Sequence, residues 1–364
     1  MTLQQLQDQV RDAAARGAQL DIRGHGSKAF YGEAPRGEPL STLGFAGISS
    51  YEPSELVVTV KAGTRIAELE QVLAAQGQHL PFEPPRFDNG SGGRGTVGGM
   101  VAAGLSGPAR AAAGSLRDHV LGLTLLNGKA EAMSFGGTVM KNVAGYDVAR
   151  LMAGALGSLG LILEVSLKVL PRPVAEATLR FELDQAQALA RLNRWGGQPL
   201  PIHASAWWDG ALVLRLAGAQ AAVQAATAQL GGELIADALA RPFWEGLRDQ
   251  RDEFFQGAER AVQGGASLWR LSLPQTAPAL QQLHGEQLIE WGGAQRWVTT
   301  PLPAAQIREA AARVGGHATL FRALDKQPGA FAPLAPPLER IHRELKNAFD
   351  PQRLFNPGRL YRWM

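Results

Sequence analysis

The residues best placed to do chemistry in this sequence are glycines. Gly90, Gly92, Gly93, Gly95, Gly98 and Gly99 crowd the stretch DNGSGGRGTVGGM. Ordering so many glycines is entropically costly. The stretch therefore predicts close backbone contact with a bound ligand. A second stretch, RGHGSK (Arg23–Lys28), sets small residues around basic ones directly after a short apolar run. Successive amides in such a turn form an anion-binding nest without a helix.

Gly93, Gly95 and Gly98 also spell a literal G-x-G-x-x-G, the phosphate turn of a dinucleotide fold of the Rossmann kind. That motif needs a strand leading in, a helix leading out, and a second strand closing on an acid. The lead-in PFEPPRFDNGS carries three prolines and is no central strand. A helix from Val97 meets Gly104, Gly107 and Pro108 at once. Asp118 precedes the apolar run Val120 to Leu126 instead of closing it. The context excludes a Rossmann turn.

Nucleophile and metal chemistry find little support. The chain has 364 residues and no cysteine. Thiolate catalysis, disulfides and cysteine-held iron–sulfur clusters are therefore excluded within it. His25, His79, His119, His203, His284, His317 and His342 are scattered, with no close pair at metal-ligand spacing. No metal site is predicted. His317 in GGHATLFR, with Arg322 near it in sequence, is the remaining candidate for a catalytic base and carboxylate-binding pair. A loop histidine and a surface arginine is the other reading.

The elements that must position these groups follow from periodicity. Leu3, Leu6 and Val10 fall at helical spacing between a Thr2 cap and a Gly17 stop. Gln19 to Ile22 reads as a strand running into RGHGSK, and SELVVTVKAG as a buried strand. Thr64 to Gln76 reads as an amphipathic helix. Pro81 to Gly114 reads as irregular. DHVLGLTLLNGKAEAMSF reads as a hairpin through Asn127-Gly128. LILEVSLKVL alternates as a half-exposed strand. Pro171 and Pro173 mark a boundary, after which Ala- and Gln-rich helices alternate with short strands.

Composition bounds the rest. The hydrophobic share is 45% and the charged share 19%, as in an ordinary globular protein of two domains. The net charge is +3, without lysine runs interleaved with aromatics, so nucleic acid is not expected as a partner. Arg340, Arg343, Lys346, Arg353, Arg359 and Arg362 crowd the C-terminus. They read as a solvated face or as a docking surface for an acidic partner. The N-terminus lacks the apolar core of a signal peptide. Leu151 to Leu170 contains Glu164, Lys168 and three glycines, which argues against a membrane span.

Four motifs in order then resemble flavoproteins of the vanillyl-alcohol-oxidase type, with the PCMH-type FAD-binding fold. RGHGSK is similar to their pyrophosphate loop. GGRGTVGGMVAAGLSGP followed by GSLRDHVLG resembles their second FAD-contacting segment. KNVAGYDVARLMAGALGSLGLILEV resembles their K-N-x-x-G-Y-D signature, and FDPQRLFNPGRLY their closing segment. Within that group the chain resembles the smaller FAD-binding subunits of bacterial glycolate oxidase, with GEQLIEWGGAQRWV, GGHATLFR and PLPIHASAWWDGALVLRL extending the likeness through its middle.

The resemblance implies an α+β fold. A two-subdomain FAD-binding domain would span residues 1–173, and a short α/β cap residues 174–320. A C-terminal segment, residues 321–364, would pack back on the FAD domain. It implies that Arg23, Gly24, His25, Gly26, Ser27 and Lys28 hold the FAD pyrophosphate through backbone amides. Thr96, Val97, Gly98 and Gly99 would line the flavin, and Gly114, Ser115 and Asp118 would close that side. For Asp118 a turn cap beside Arg117 is an equal alternative. Gly157, Gly160 and Ile162 would meet the adenosine half, and Asn356 and Gly358 would bring the C-terminus to the flavin. Leu156 stands where the family usually has an acid, and Arg359 where it has a lysine. Some relatives link FAD covalently through a histidine at the position of Ser27, so FAD is expected here as non-covalent. Tyr146 and Asp147 are expected to hold the fold.

The implied function is the FAD-binding subunit of a multi-subunit glycolate oxidase. It would work beside a larger catalytic flavoprotein and an iron–sulfur subunit, oxidising glycolate or a similar 2-hydroxy acid. It would be cytoplasmic or held at the inner face of the membrane through partners. The alternatives are a stand-alone FAD-dependent 2-hydroxy-acid dehydrogenase and a scaffold subunit poor in FAD.

Overall fold

A computed structural model describes residues 1–90, 92–138 and 145–364. The signature residues Lys141, Asn142, Val143 and Ala144 lie outside the described set. The chain divides into two compact units, one of residues 1–105, 115–171 and 333–364, the other of residues 106–114 and 172–332.

The first unit begins with α1 (Leu3–Arg16), β1 (Leu20–Arg23), β2 (Glu38–Ser41), β3 (Ile48–Glu52), β4 (Val57–Lys61), α2 (Ile66–Ala75), β5 (Gln78–His79) and α3 (Val97–Ala103). The chain leaves it for α4 (Arg110–Ala113) and returns with β6 (Val120–Leu126), β7 (Ala132–Gly136), α5 (Val148–Leu151), β8 (Leu161–Lys168) and β9 (Leu170–Pro171). Thr2 and Gln5 form a reciprocal capping box on α1, and Gly17 ends it in the left-handed region at φ 66°. β1 and β2 pair in parallel, and β5 pairs with β9. The main sheet runs β3-β4-β8-β6-β7, antiparallel throughout.

Two expectations are corrected in this unit. Pro81 to Gly114 is not irregular throughout. Thr96 caps α3 by accepting from the Gly99 amide at 3.3 Å, and Gly104 ends it at φ 64°. Nor is β8 half-exposed. It is the central strand, and Ser166 on its polar face is buried against Thr59 Oγ1 at 2.9 Å. Between β6 and β7 the Asn127 side chain organises a five-residue connection, its Oδ1 accepting from the amides of Lys129 (2.9 Å) and Glu131 (3.0 Å). Tyr146 is 94% exposed, so its ring is not part of the core. Asp147 caps α5, accepting from Arg150 N.

The second unit adds β10 (Ala175–Glu182), α6 (Gln185–Gly196), β11 (Ile202–Trp208), β12 (Ala211–Gly218), α7 (Gln220–Leu230), β13 (Glu233–Ile235), α8 (Asp237–Asp249), α9 (Glu253–Gln263), β14 (Ser267–Ser272), β15 (Glu286–Glu290), β16 (Gln295–Thr300), α10 (Ala304–Arg313) and β17 (His317–Arg322). Eight strands form one antiparallel sheet in the order β13-β10-β12-β11-β15-β16-β14-β17. Its apolar residues pack against α6 and α7 at one end and α10 at the other. The unit does not stop at Leu320. β17 pairs with β14 as far as Arg322, and the unit runs to Ala332. α4 belongs here too: Arg110 lies 4.5 Å over the Trp291 ring, and Trp291 Nε1 donates to Gly107 O at 3.0 Å. Among the described residues no helix is long and apolar enough to cross a membrane.

The chain ends in the first unit with α11 (Pro336–Phe349). Lys346 on its last turn is fully buried. Its Nζ donates to Asp350 Oδ2 (2.8 Å), Ser158 O (2.6 Å) and Phe355 O (3.0 Å). Asp350, equally buried, also accepts from the amides of Leu354 and Phe355. Burial pulls the Lys346 ammonium below the usual lysine range, and Asp350 opposes the shift. Arg340 and Arg343 pair with Glu344 and Glu339 one turn away. The C-terminal basic cluster is therefore partly buried and partly neutralised on its own helix.

Two expectations about stability follow. Asp350→Ala leaves a buried ammonium without its carboxylate and should destabilise the first unit by about 3–5 kcal/mol, read as a lower denaturation midpoint against Asp350→Asn. In the second unit, burial pushes the Asp252 carboxyl up to about 6, while its side chain caps α9. The folded chain keeps that proton over roughly pH 4–6, where the unfolded chain loses it, so stability falls as pH rises through this window. Asp252→Asn keeps the cap without the charge. It should stabilise by about 1–3 kcal/mol at pH 7, with the gain gone below about pH 4 in a melting series.

Candidate functional site

β1 ends at Arg23, and the chain turns at once through Gly24, His25, Gly26, Ser27 and Lys28. Gly26 takes φ +71°, a left-handed conformation that favours glycine. Among the described residues the backbone bonds at the turn are Ala29 N to Gly26 O (2.9 Å), Tyr31 N to Lys28 O (3.0 Å) and Thr42 N to Arg23 O (2.9 Å). Among the described residues no protein acceptor takes the amides of Gly24, His25, Gly26 or Ser27. Consecutive amides left open in a turn form a site for an anion. The turn lines a cavity of about 210 Å³ within the first unit.

The charges around this cavity favour the same occupant. Arg23 is half-exposed and ion-paired with Asp21, which is 5% exposed. Lys28 Nζ lies 5.5 Å over the Phe87 ring. Arg359 is buried and donates to the carbonyls of Ala29 (3.2 Å), Tyr31 (2.7 Å) and Glu33. Burial pulls its guanidinium below the usual range, with Asp21 and Glu33 opposing. Arg23, Lys28 and Arg359 against Asp21 leave a net positive lining suited to a diphosphate.

The second wall is α3 with its cap. Thr96 is buried, and a Cβ added at Gly24 would stand 2.7 Å from its Cγ2, so the two segments touch only because Gly24 lacks a side chain. At Gly98 a Cβ would lie 2.6 Å from Ala62 Cβ. The first amides of α3 are already engaged: Val97 N donates to Thr64 O (2.9 Å), Gly98 N to Ala62 O (2.8 Å) and Gly99 N to Thr96 Oγ1 (3.3 Å). The helix presents backbone and small side chains to the cavity. Its N-terminus is not the anion site.

The third wall is the turn before β8. Leu156 and Gly157 take φ 51° and 70° in succession, a conformation that strains the leucine. The Leu156 amide and carbonyl are tied: its N donates to Ala102 O (2.9 Å), and its O accepts from Asn356 Nδ2 (2.6 Å). Asn356 Oδ1 accepts from Ile22 N (2.6 Å), and Asn356 N donates to Leu20 O (2.8 Å). Gly160 packs against Leu125, where a Cβ would stand 2.9 Å from Cγ.

The cavity thus gathers Arg23, Gly24, His25, Gly26, Ser27, Lys28, Thr96, Gly98, Gly99, Gly157, Gly160, Ile162 and Asn356. It leaves out several expected residues. Val97 is fully buried in the core, below the wall. Gly114 ends α4 in the second unit. Asp118 accepts from Ser115 N and Ser115 Oγ, both at 2.8 Å, so the pair forms a capping box and does not line the cavity. Asn356 is a tie between β1 and the Leu156 turn, with both ends of its amide used by the protein. Gly95, Thr42, Ala62, Asp21 and Arg359 line the cavity beyond the residues expected. Of these, a charged residue inside the apolar strand LDIR was the available signal for Asp21.

His317 and Arg322 do not form a pair. They occupy the two ends of β17, opposite Ser272 and Leu268 on β14. Five residues of extended chain separate them by about 16 Å. Burial and Arg270 hold the exposed-edge His317 imidazole below the usual histidine range. Both residues belong to the second unit, and every residue lining the cavity belongs to the first. Among the described residues no group of three or more His, Asp or Glu side chains is placed to hold a metal ion.

The open amides, the glycine walls and the positive lining fit a diphosphate-bearing dinucleotide such as FAD. A family model for the FAD binding domain matches residues 1–136. The chain is 46% identical to glycolate oxidase subunit GlcE of Escherichia coli over 358 residues, 98% of this chain and 97% of that protein. It is 31% identical over 144 residues to glycolate oxidase subunit GlcD of Bacillus subtilis, covering 40% of this chain and 30% of that one. It is 34% identical over 133 residues to a D-lactate dehydrogenase of Anaerostipes hadrus, covering 36% and 26%. The fold is shared with alkyldihydroxyacetonephosphate synthase, at a TM-score of 0.62 and 14% identity over 97% of this chain and 75% of that chain. The chain is a flavoprotein subunit with an FAD binding domain, and it belongs to the family of glycolate oxidase subunit GlcE.

Proposed function

We propose that this chain is the FAD-holding subunit of a multi-subunit glycolate oxidase, supporting oxidation of glycolate to glyoxylate. The observation that carries the reading is the run of open amides from Gly24 to Ser27 facing a net positive cavity, in a chain similar to GlcE along nearly its whole length. The amides of Gly24–Ser27, with Arg23 and Lys28, would hold the diphosphate. Thr96, Gly98 and Gly99 would form the wall against the flavin half, and Gly157, Gly160 and Ile162 the wall against the adenosine half. Bound there, FAD supplies hydride acceptance at its N5. Ser27 stands where some relatives carry the linking histidine, so the cofactor would be held without a covalent link.

The separation of His317 from Arg322 leaves no assembled base and carboxylate clamp among the residues first expected to serve. Substrate oxidation is therefore assigned to a larger flavoprotein partner related to GlcD, a protein with which this chain shares recognisable sequence. With no cysteine here, an iron–sulfur partner must hold any cluster that removes the electrons. Work in the cytoplasm, or at the membrane's inner face through those partners, fits the absence of a membrane-crossing helix among the described residues. The likeness to D-lactate dehydrogenases favours a second reading, a chain that oxidises a small 2-hydroxy acid alone.

Anaerobic mixing with glycolate separates the two. The isolated, FAD-loaded chain should keep its yellow colour and bleach only when the partner subunits are added. Bleaching of the isolated chain by glycolate or D-lactate would establish the second reading. Acid precipitation should release all flavin into the supernatant. Gly24→Val, which drives a side chain into Thr96, should weaken FAD binding by about 10–100-fold, measured by quenching of flavin fluorescence.

A further inference from the structure

The nest at Gly24–Ser27 has little of its own to keep its shape. Parallel amides repel one another, and among the described residues the backbone bonds that brace the turn are Ala29 N to Gly26 O, Tyr31 N to Lys28 O and Thr42 N to Arg23 O. Further support comes from Asn89, Gly93, Gly95 and Thr96. Asn89 Nδ2 donates to His25 O at 2.7 Å, fixing the peptide in the middle of the nest. The His25 ring rests on the backbone of Gly93, where a Cβ would lie 2.8 Å from His25 Cβ and overlap the ring carbons. At Gly95 a Cβ would stand 3.3 Å from Ser27 Oγ and 3.2 Å from Lys28 Nζ. The two loops interlock: His25 sits on Gly93 of one strand of chain, and Thr96 sits on Gly24 of the other.

His25 Nδ1 is buried and makes no hydrogen bond among the described residues. The ring is held by its shape and not by its polarity. We propose that His25 is a positioning residue: its ring, seated on Gly93, locks the peptide units of Gly24–Ser27 in the anion-binding conformation, and the chain's affinity for FAD depends on that contact. Gly93 does not line the cavity, so the contact with His25 gives it a task of its own. The inference rests on the FAD reading of the cavity.

A double-mutant cycle read by FAD affinity of the full chain tests it, with thermal melting of each apo variant as the fold control. Gly93→Ala should weaken FAD binding by about 10–100-fold, because the added methyl displaces the ring and the peptides attached to it. His25→Ala should weaken it by about tenfold by removing the brace. Adding Gly93→Ala to His25→Ala should then cost less than about threefold, because the clash with the ring is gone and only the 2.8 Å approach to the residue-25 Cβ remains. His25→Phe should bind FAD within about threefold of wild type, since it restores the ring without the nitrogens. The apo variants should melt with the wild type.

An equal loss from Gly93→Ala in both backgrounds would place Gly93 against FAD itself and overturn the proposal. So would a His25→Phe variant as weak as His25→Ala, which would make the imidazole a ligand. A wild-type chain that takes up no FAD would instead sink the reading of the cavity, whatever the variants do.

Discussion

The buried Lys346–Asp350 pair is the constraint on which the cofactor site depends. Neither side chain touches solvent. A buried ion pair persists only where every remaining donor and acceptor is matched. Here the matching joins two pieces of chain far apart in sequence, the turn at Ser158 and the segment from Lys346 to Phe355. Lys346 reaches Ser158 O in the turn before β8, and Asp350 takes the amides of Leu354 and Phe355. Those bonds set the path of the last residues. Asn356 then falls between Ile22 at the end of β1 and Leu156 in the third wall, and Arg359 falls among the carbonyls of Ala29, Tyr31 and Glu33. Two of the three walls, the nest after β1 and the Leu156 turn, are fastened to the same C-terminal segment. Moving that segment would separate β1 from the Leu156 turn and release the loop after the nest together.

The glycine-rich string Gly92–Met100 matches a nicotinamide fingerprint and does a different job. In a Rossmann turn the helix N-terminus supplies the anion site. Here the first amides of α3 already bond Thr64 O, Ala62 O and Thr96 Oγ1. The open amides lie in the other loop, at Gly24–Ser27. The glycines of the string serve contact between protein segments. Gly98 admits Ala62, Gly93 admits the His25 ring, and Gly95 stands close to Ser27 and Lys28. Glycine density therefore reports where backbones meet, and not only where a ligand lies.

What was legible in the sequence divides along this line. Local signals were readable because their partners are neighbours. Thr2 and Gly17 bound α1, and contiguous motifs carry Arg23–Lys28, Thr96, Gly98, Gly99, Gly157 and Gly160 to one cavity. The fold class and the FAD-binding family were readable from the order of those motifs. The misreadings came from partners that periodicity does not show. β8 alternates like a surface strand, yet Thr59 on the neighbouring strand covers Ser166. For Asp118 the turn-cap alternative is the one the structure carries, with Ser115 as its partner, and the cofactor contact is not. His317 and Arg322 looked close because they are five residues apart, a spacing that an extended strand stretches rather than folds. Arg359 is a basic residue in a basic cluster, and only the tertiary path shows that it is buried under the nest's following loop.

The second unit shows why its many arginines do not make it a carboxylate-binding site by composition. Arg215 lies 5.0 Å over Trp244, Arg308 5.6 Å over Trp269, Arg270 5.8 Å and Arg322 5.9 Å from the Phe321 ring. Arg296 is fully buried and bonds the carbonyls of Gly293, Pro278 and Ala277. A guanidinium stacked on an aromatic face or ringed by carbonyls is held in place by the fold. Recruiting it to a substrate carboxylate would take it from partners that already stabilise the eight-stranded sheet. Trp297 extends the pattern, lying 4.8 Å from Phe321 and 5.1 Å from Phe255 while its Nε1 donates to buried Glu290 at 2.7 Å. Ring stacking and carbonyl contacts thus hold these cations inside the second unit itself.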